Sequence, residues 1–138
     1  MHIFLSEYSP TYVDVGQRHE RLHRELLMSA GGPLGVKAVK EVSIGAMDLK
    51  AATVLWGRLL EPRRASAPGL WQVGDGPAIR LVQSAENKLQ GLVISVIELR
   101  RAKAFLQERG LLGSASIEEL TIEPSKIQGL NMRLVEQK

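Results

Sequence analysis

The sequence predicts an α+β fold built from two copies of one supersecondary unit. The first observation is an internal repeat, in which positions 42–52 (VSIGAMDLKAA) return as positions 92–102 (LVISVIELRRA). The second is that both copies close alike, with IRLV at 79–82 and MRLV at 132–135. A repeat of this period is typical of a unit that needs a neighbour to bury its apolar face. Each copy therefore predicts a strand, a helix and further strands.

The first 37 residues lie outside both copies of the repeat. Residues 2–8 predict a short strand, and residues 14–28 predict a polar helix with Asp14 as its N-cap. Gly31, Gly32 and Pro33 then end that helix.

The first copy runs from residue 38 to 84. A strand ends at Ala46, and Asp48 can cap a helix whose apolar side chains we expect to be buried: Ala52, Leu55, Trp56 and Leu59. After a loop containing two prolines, residues 74–76 (GDG) predict a hairpin that joins two short strands.

The second copy runs from residue 88 to 138. Its first strand precedes a helix that begins at Glu98, ends at Gly110 and has three apolar side chains for the core: Ala102, Phe105 and Leu106. Two later strands are predicted at 119–122 and 130–135, with a further short strand between 111 and 117.

Composition narrows the classes of function. A chain of 138 residues with a net charge of +3 fits one compact domain, and its basic residues are dispersed among acidic ones. Such dispersion argues against a nucleic-acid partner. The absence of cysteine excludes disulfides, thiolate metal sites and cysteine nucleophiles. Without a signal peptide or a long apolar run, we expect a cytoplasmic protein with no membrane partner.

The repeated order of strand, acidic residue, leucine and helix resembles the vicinal oxygen chelate superfamily, which contains glyoxalases, extradiol dioxygenases and bleomycin-resistance proteins. The likeness lies in residues 44–49 with Ala52, residues 94–99 with Ala102, and the closing segment 129–134 (GLNMRL). In that family two βαβββ modules pair so that their sheets curl into a cup. The resemblance implies a cup-shaped mixed sheet here, with residues 38–84 and 88–138 as the modules.

The resemblance also bears on the N-terminal extension, residues 1–37. A strand and a helix that lead into the modules look like the tail of a preceding module, and Glu7 lies on such a closing strand, where the family often carries a ligand. We therefore expect the chain to be the C-terminal part of a longer protein, or this segment to exchange onto a partner.

Metal binding is where the chain departs from the family. The positions that match the family's metal ligands are Glu41, Arg80, Gly91 and Arg133. An arginine stays protonated and has no free lone pair, and glycine has no side chain, so Glu41 alone could bind a divalent metal. We predict no cofactor and no metal site, with Glu41 and Glu7 as the weaker alternative ligands.

Arg80 and Arg133 occupy equivalent places in the two copies. Alternation along the two closing strands puts both opposite an apolar face: Ile79, Leu81, Met132 and Leu134. If the arginines face the cup, they form a cationic pair suited to a carboxylate or phosphate, with Glu41 orienting one of them and Trp71 lining the pocket. The alternative is that both are solvated on an outer face.

One short motif, HERLH at 19–23, matches the zinc-protease pattern H-E-x-x-H on a predicted helix. Arg18, Arg21 and Arg24 surround it with positive charge, and no third ligand is recognisable. We interpret it as a solvent-exposed helix face.

Together these features predict a glyoxalase-like domain that binds a small molecule, an anion if both arginines face the cup. The sequence does not decide whether the domain is an enzyme; if it is, Glu41 is the candidate general base. Arg80 and Arg133 would then hold a carboxylate or stabilise an oxyanion. Two alternatives stay open: a structural or dimerisation domain, and a metal-dependent lyase or dioxygenase with ligands from an upstream module or partner. A homodimer, or pairing with an upstream module, is the expected assembly.

Overall fold

Seven strands form one mixed sheet in the computed structural model, which describes residues 15–136. The helices are α1 (Val15–Met28), α2 (Leu49–Leu59) and α3 (Leu99–Glu108). The strands are β1 (Val36–Ala46), β2 (Leu70–Gln72), β3 (Ala78–Gln83), β4 (Lys88–Val96), β5 (Leu112–Ala115), β6 (Glu119–Ile122) and β7 (Asn131–Glu136). The predicted α+β class is confirmed. The strand predicted at 2–8 lies outside the described residues.

The sheet shows the internal repeat directly. Its strand order is β2-β3-β1-β4-β7-β6-β5, with the first strands of the two copies, β1 and β4, antiparallel at the centre. On either side, β3 runs parallel to β1 and β7 runs parallel to β4. Ser43 pairs with Arg80 in the first copy as Val93 pairs with Arg133 in the second. The two units are therefore related by a pseudo-two-fold axis through the β1–β4 pair.

The two modules differ in completeness. The second has four strands, including the short strand expected between residues 111 and 117, which is β5. In the first, the described residues between α2 and β2 form a single isolated bridge, Ala67 to Leu70, instead of a strand. The three-residue β2 is consequently the edge of the sheet on that side.

The starts of α2 and α3 are each stabilised by a carboxylate. The Asp48 side chain accepts the Ala51 backbone N–H at 2.9 Å, which confirms the predicted cap of α2. At α3, Glu98 makes no side-chain capping bond. The Leu99 N–H instead donates to Glu136 Oε2 at 3.2 Å, so the end of β7 caps α3.

The core lies on the face of the sheet that α2 and α3 cover. In the second module Leu106 of α3 packs with Leu120 and Leu134 of the sheet, and each is at most 1% exposed. In the first module Trp56 of α2 packs against Ile44, Trp71 and Leu81. No helix among residues 15–136 is long and apolar enough to cross a membrane.

One part of the predicted core is wrong. Leu55 and Leu59 of α2 were expected on its buried stripe, but they are 65% and 38% exposed. Trp56 is the one buried residue of α2, at 9% exposed. The helix therefore touches the sheet along a narrower line than its apolar composition predicts.

Candidate functional site

The face of the sheet opposite the helices carries the charged residues singled out by the sequence. Glu41 on β1 pairs in register with Val93 on β4, which pairs with Arg133 on β7. Arg80 on β3 pairs with Ser43, two residues beyond Glu41. Because register partners project to the same side of a sheet, all of these side chains share one face. Ile79, Leu81, Met132 and Leu134 pack on the other face, with the helices.

Glu41 and Arg80 form the closest ion pair of the site. Arg80 Nε donates to Glu41 Oε1 at 2.8 Å, and Ser43 Oγ donates to the same oxygen at 3.3 Å. The Glu41 side chain is only 14% exposed. The hydrogen bond from Arg80 is the main reason that the pKa of Glu41 is lowered from 4.5; the charge of Arg80, the Ser43 bond and the charge of Arg133 act in the same direction, against burial. Glu41 is therefore an anion at neutral pH.

Arg133 has a different partner. Its Nη1 lies 3.3 Å from Oε2 of Glu119, which reaches over from the neighbouring strand β6. Sequence reasoning missed Glu119, because its approach to Arg133 depends on the β6–β7 register. The positive charge of Arg133 also favours the ionised form of Glu41 and so acts to lower its pKa, less than Arg80 does.

Gly91 explains why the two arginines are paired differently. It occupies in β4 the place that Glu41 has in β1, two residues before the partner of the arginine. A Cβ at Gly91 would overlap the backbone oxygen of Asn131 on β7. A side chain at this position requires the β4–β7 backbone to shift. The second module therefore lacks an equivalent of Glu41, and Arg133 pairs with β6 instead.

These residues line two open cavities on this face of the sheet. The larger, of about 1170 Å³, extends along β4 and β7 towards the β5–β6 turn, where Ile117 is 97% exposed. The smaller, of about 210 Å³, lies towards the start of β4 and is lined by Arg80 and by three neutral polar side chains: Ser43, Gln90 and Asn131. Glu41, Val93 and Arg133 border both cavities. The ionic residues thus stand where the two spaces meet.

The donor set does not fit the metal site of the family. Of the four matching positions, two carry arginine and one carries a glycine whose backbone excludes a side chain. Glu41 is the remaining carboxylate and is already engaged by Arg80. Within residues 15–136, no three His, Cys, Asp or Glu side chains lie close enough together to hold a metal ion. Glu7 lies outside the described residues.

Two further sequence-based assignments are settled by position. The prediction that Trp71 lines the ligand pocket is wrong, because its side chain is 1% exposed and packs under α2 on the opposite face. Trp71 pairs in register with Ile79, a core residue, and this fixes its direction. His19 and His23 of the H-E-x-x-H match lie on the exposed helix α1, as interpreted.

The fold matches solved structures. Methylmalonyl-CoA epimerase from Mycobacterium tuberculosis matches with a TM-score of 0.56 and 18% identity, over 78% of this chain and 91% of its own. A hypothetical protein from Bacillus halodurans C-125 matches with a TM-score of 0.51 and 13% identity, over 72% of this chain and 94% of its own. At these identities the likeness concerns the fold, and the fold predicted from the sequence is confirmed by it. No protein-family model and no curated protein sequence matches the chain.

Proposed function

We propose that this divergent glyoxalase-like domain binds a small organic anion in its concave cleft, and that it does so with side chains in place of a metal ion. The observation that carries the proposal is the position of Arg80. Its guanidinium stands at the smaller cavity with Nε bound to Glu41, while its side chain is still 42% exposed.

The geometry of a guanidinium makes this a usable site. Arg80 donates Nε to Glu41 and makes no other hydrogen bond within residues 15–136, so both Nη groups are available to a ligand. Two parallel N–H donors match the two oxygens of a carboxylate or phosphate. Glu41 fixes the orientation of the fork, which reduces the entropy lost when a ligand binds.

The surroundings favour a small anion at this end of the cleft. Arg80 and Arg133 together outweigh the single carboxylate, Glu41, on the wall of the smaller cavity, and the other polar side chains there are neutral. The larger cavity carries Glu118, Glu119 and Glu136 as well. We therefore place the anionic group of the ligand in the smaller cavity and its remaining atoms in the larger one.

The state of Glu41 favours binding over proton transfer. A general base works best when its pKa lies near the working pH, and that of Glu41 is shifted away from neutrality by Arg80. In the proposed function Glu41 positions Arg80. A base role would require the ligand to displace Arg80 from the carboxylate.

Calorimetric titration with small carboxylates and inorganic phosphate tests the proposal. We expect binding by at least one probe, weakened about tenfold to a hundredfold by Arg80→Gln, because one charge-assisted contact contributes about 1.5–3 kcal/mol. Arg100→Gln is the matched control, since Arg100 is 90% exposed on α3 and outside the cleft. Binding that is equally strong in the Arg80→Gln variant would contradict the proposal, as would no binding of any probe by the unmodified chain.

A further inference from the structure

The outward face of α2 carries a patch of exposed apolar residues, bordered by Lys50 and Arg58. Val54 and Leu55 are 53% and 65% exposed, and Ala51, one turn earlier, is exposed beside them. The opposite side of the same helix is apolar too, with Ala52 and Trp56 packed on the sheet. A helix that is apolar on both sides is normally covered on both sides.

The repeat supplies an internal control for this observation. Helix α3 occupies the same place in the second module, and there Phe105, the counterpart of Leu55, is partly buried against the core. Arg101 stands where α2 has Ala51, and Ala104 stands where α2 has Val54. The apolar outward face is therefore a property of this copy and not a requirement of the fold.

The surface around Val54 also contains shallow cavities. Three shallow cavities, of about 750, 580 and 460 Å³, each include Val54 in their lining. Met47, which is 61% exposed, extends the apolar surface beyond the start of the helix. Cavities that converge on one exposed apolar residue can receive the side chains of a protein surface.

We propose that a second copy of this chain covers this face, with α2 packed antiparallel on the partner's α2 about a two-fold axis. The charges at the two ends of α2 are the reason for choosing a second copy as the partner. Asp48 stands at the start and Arg58 ten positions later, about 15 Å along the axis, too far to pair within one chain. Among the described residues neither takes part in an ion pair. In an antiparallel pair each Asp48 faces the partner's Arg58, so the face is self-complementary, as a two-fold contact requires.

The size of the face sets the strength of the dimer. An eleven-residue helix is about 16 Å long, so even with Met47 the face is smaller than the roughly 800 Å² per partner of a standard interface. The dimer is therefore weak and depends on concentration. It leaves the cleft open, because α2 and the cleft lie on opposite faces of the sheet.

Sedimentation velocity of the full chain from micromolar to submillimolar concentration tests the association. We expect a reversible monomer–dimer equilibrium that Val54→Glu weakens roughly tenfold or more, since a buried unpaired carboxylate opposes packing. The matched control Ala104→Glu places the same charge at the equivalent position of α3 and should leave the dimer intact. A chain that stays monomeric throughout, or a dimer equally sensitive to both variants, would overturn the proposal. Circular dichroism of each variant checks that it is folded.

Cross-linking tests the arrangement separately. The chain has no cysteine, so a single introduced thiol reports one site. Val54→Cys lies near the two-fold axis and should form a disulfide-linked dimer under mild oxidation, whereas Ala104→Cys should not. If the two variants cross-link to the same extent, the dimer does not form through α2.

Discussion

Helices α2 and α3 hold equivalent places in the two modules but are packed to different degrees. α3 buries Leu99, Ala102 and Leu106, whereas α2 buries Trp56 alone. The module with the better-packed helix also has more strands, with four under α3 and three under α2. The comparison shows that the second module provides most of the packed core. The first module provides the exposed apolar surface on α2 and Glu41, the one carboxylate among the four matched positions 41, 80, 91 and 133.

The largest expected effect is on unfolding free energy, and it distinguishes the cores of the two modules. Leu134 and Leu81 are equivalent residues, one after Arg133 and one after Arg80, and they are 0% and 5% exposed. We expect Leu134→Ala to cost about 3–5 kcal/mol of unfolding free energy and Leu81→Ala about 2–3 kcal/mol, because Leu81 lies beside the short edge strand β2, where neighbours can relax. Urea unfolding measures both. Equal losses would show that the modules are equally well packed.

The next largest effect on stability is expected at Gly91, the counterpart of Glu41 in the second module. Gly91→Ala places a Cβ against the backbone oxygen of Asn131, and we expect a loss of about 1–3 kcal/mol. Gly57 in α2 is the matched control, because a Cβ there meets nothing within 4 Å. Gly57→Ala should stabilise the chain by about 0.5–1 kcal/mol through helix propensity. A Gly91→Ala variant as stable as the unmodified chain would mean that the position can accept a side chain.

The smallest effect concerns the pH dependence of stability. Glu41 has a pKa below 4.5 in the folded chain, so its ionised form stabilises the fold at higher pH, and this contribution disappears as the pH falls through the folded pKa. Melting temperatures of the unmodified chain and Glu41→Gln should therefore differ at neutral pH and converge in acid. Glu86→Gln, which removes an exposed pair with Lys88, should follow the unmodified chain throughout. A constant difference between the unmodified chain and Glu41→Gln down to pH 3 would contradict this role.

Sequence patterns predicted the parts of the fold that depend on local spacing. The repeat located both first strands and both helices, and Asp48 was found as a cap because its contact to Ala51 spans three residues. Alternation placed Arg80 and Arg133 opposite the apolar face, where the structure has them, because a strand has a fixed period of two. Asp14 lies outside the described residues.

The same sequence patterns could not predict how the strands align with one another or how deeply each side chain is buried. The contact of Glu119 with Arg133 depends on how β6 aligns with β7, and the direction of Trp71 depends on how β2 aligns with β3. Three residues of β2 give too short an alternation to fix a face. Leu55 was misplaced because hydrophobic periodicity shows which residues are apolar and not how wide the covered strip is.

The antiparallel seam between β1 and β4 has a consequence for recognition. A cup with true two-fold symmetry would accept a ligand equally well in either of two opposite orientations. The contrast between Glu41 in one half and Gly91 in the other removes that equivalence, so the two ends of a bound molecule meet unlike walls. The absence of one side chain at Gly91 is therefore enough to make the two ends of the cleft distinguishable to a bound molecule.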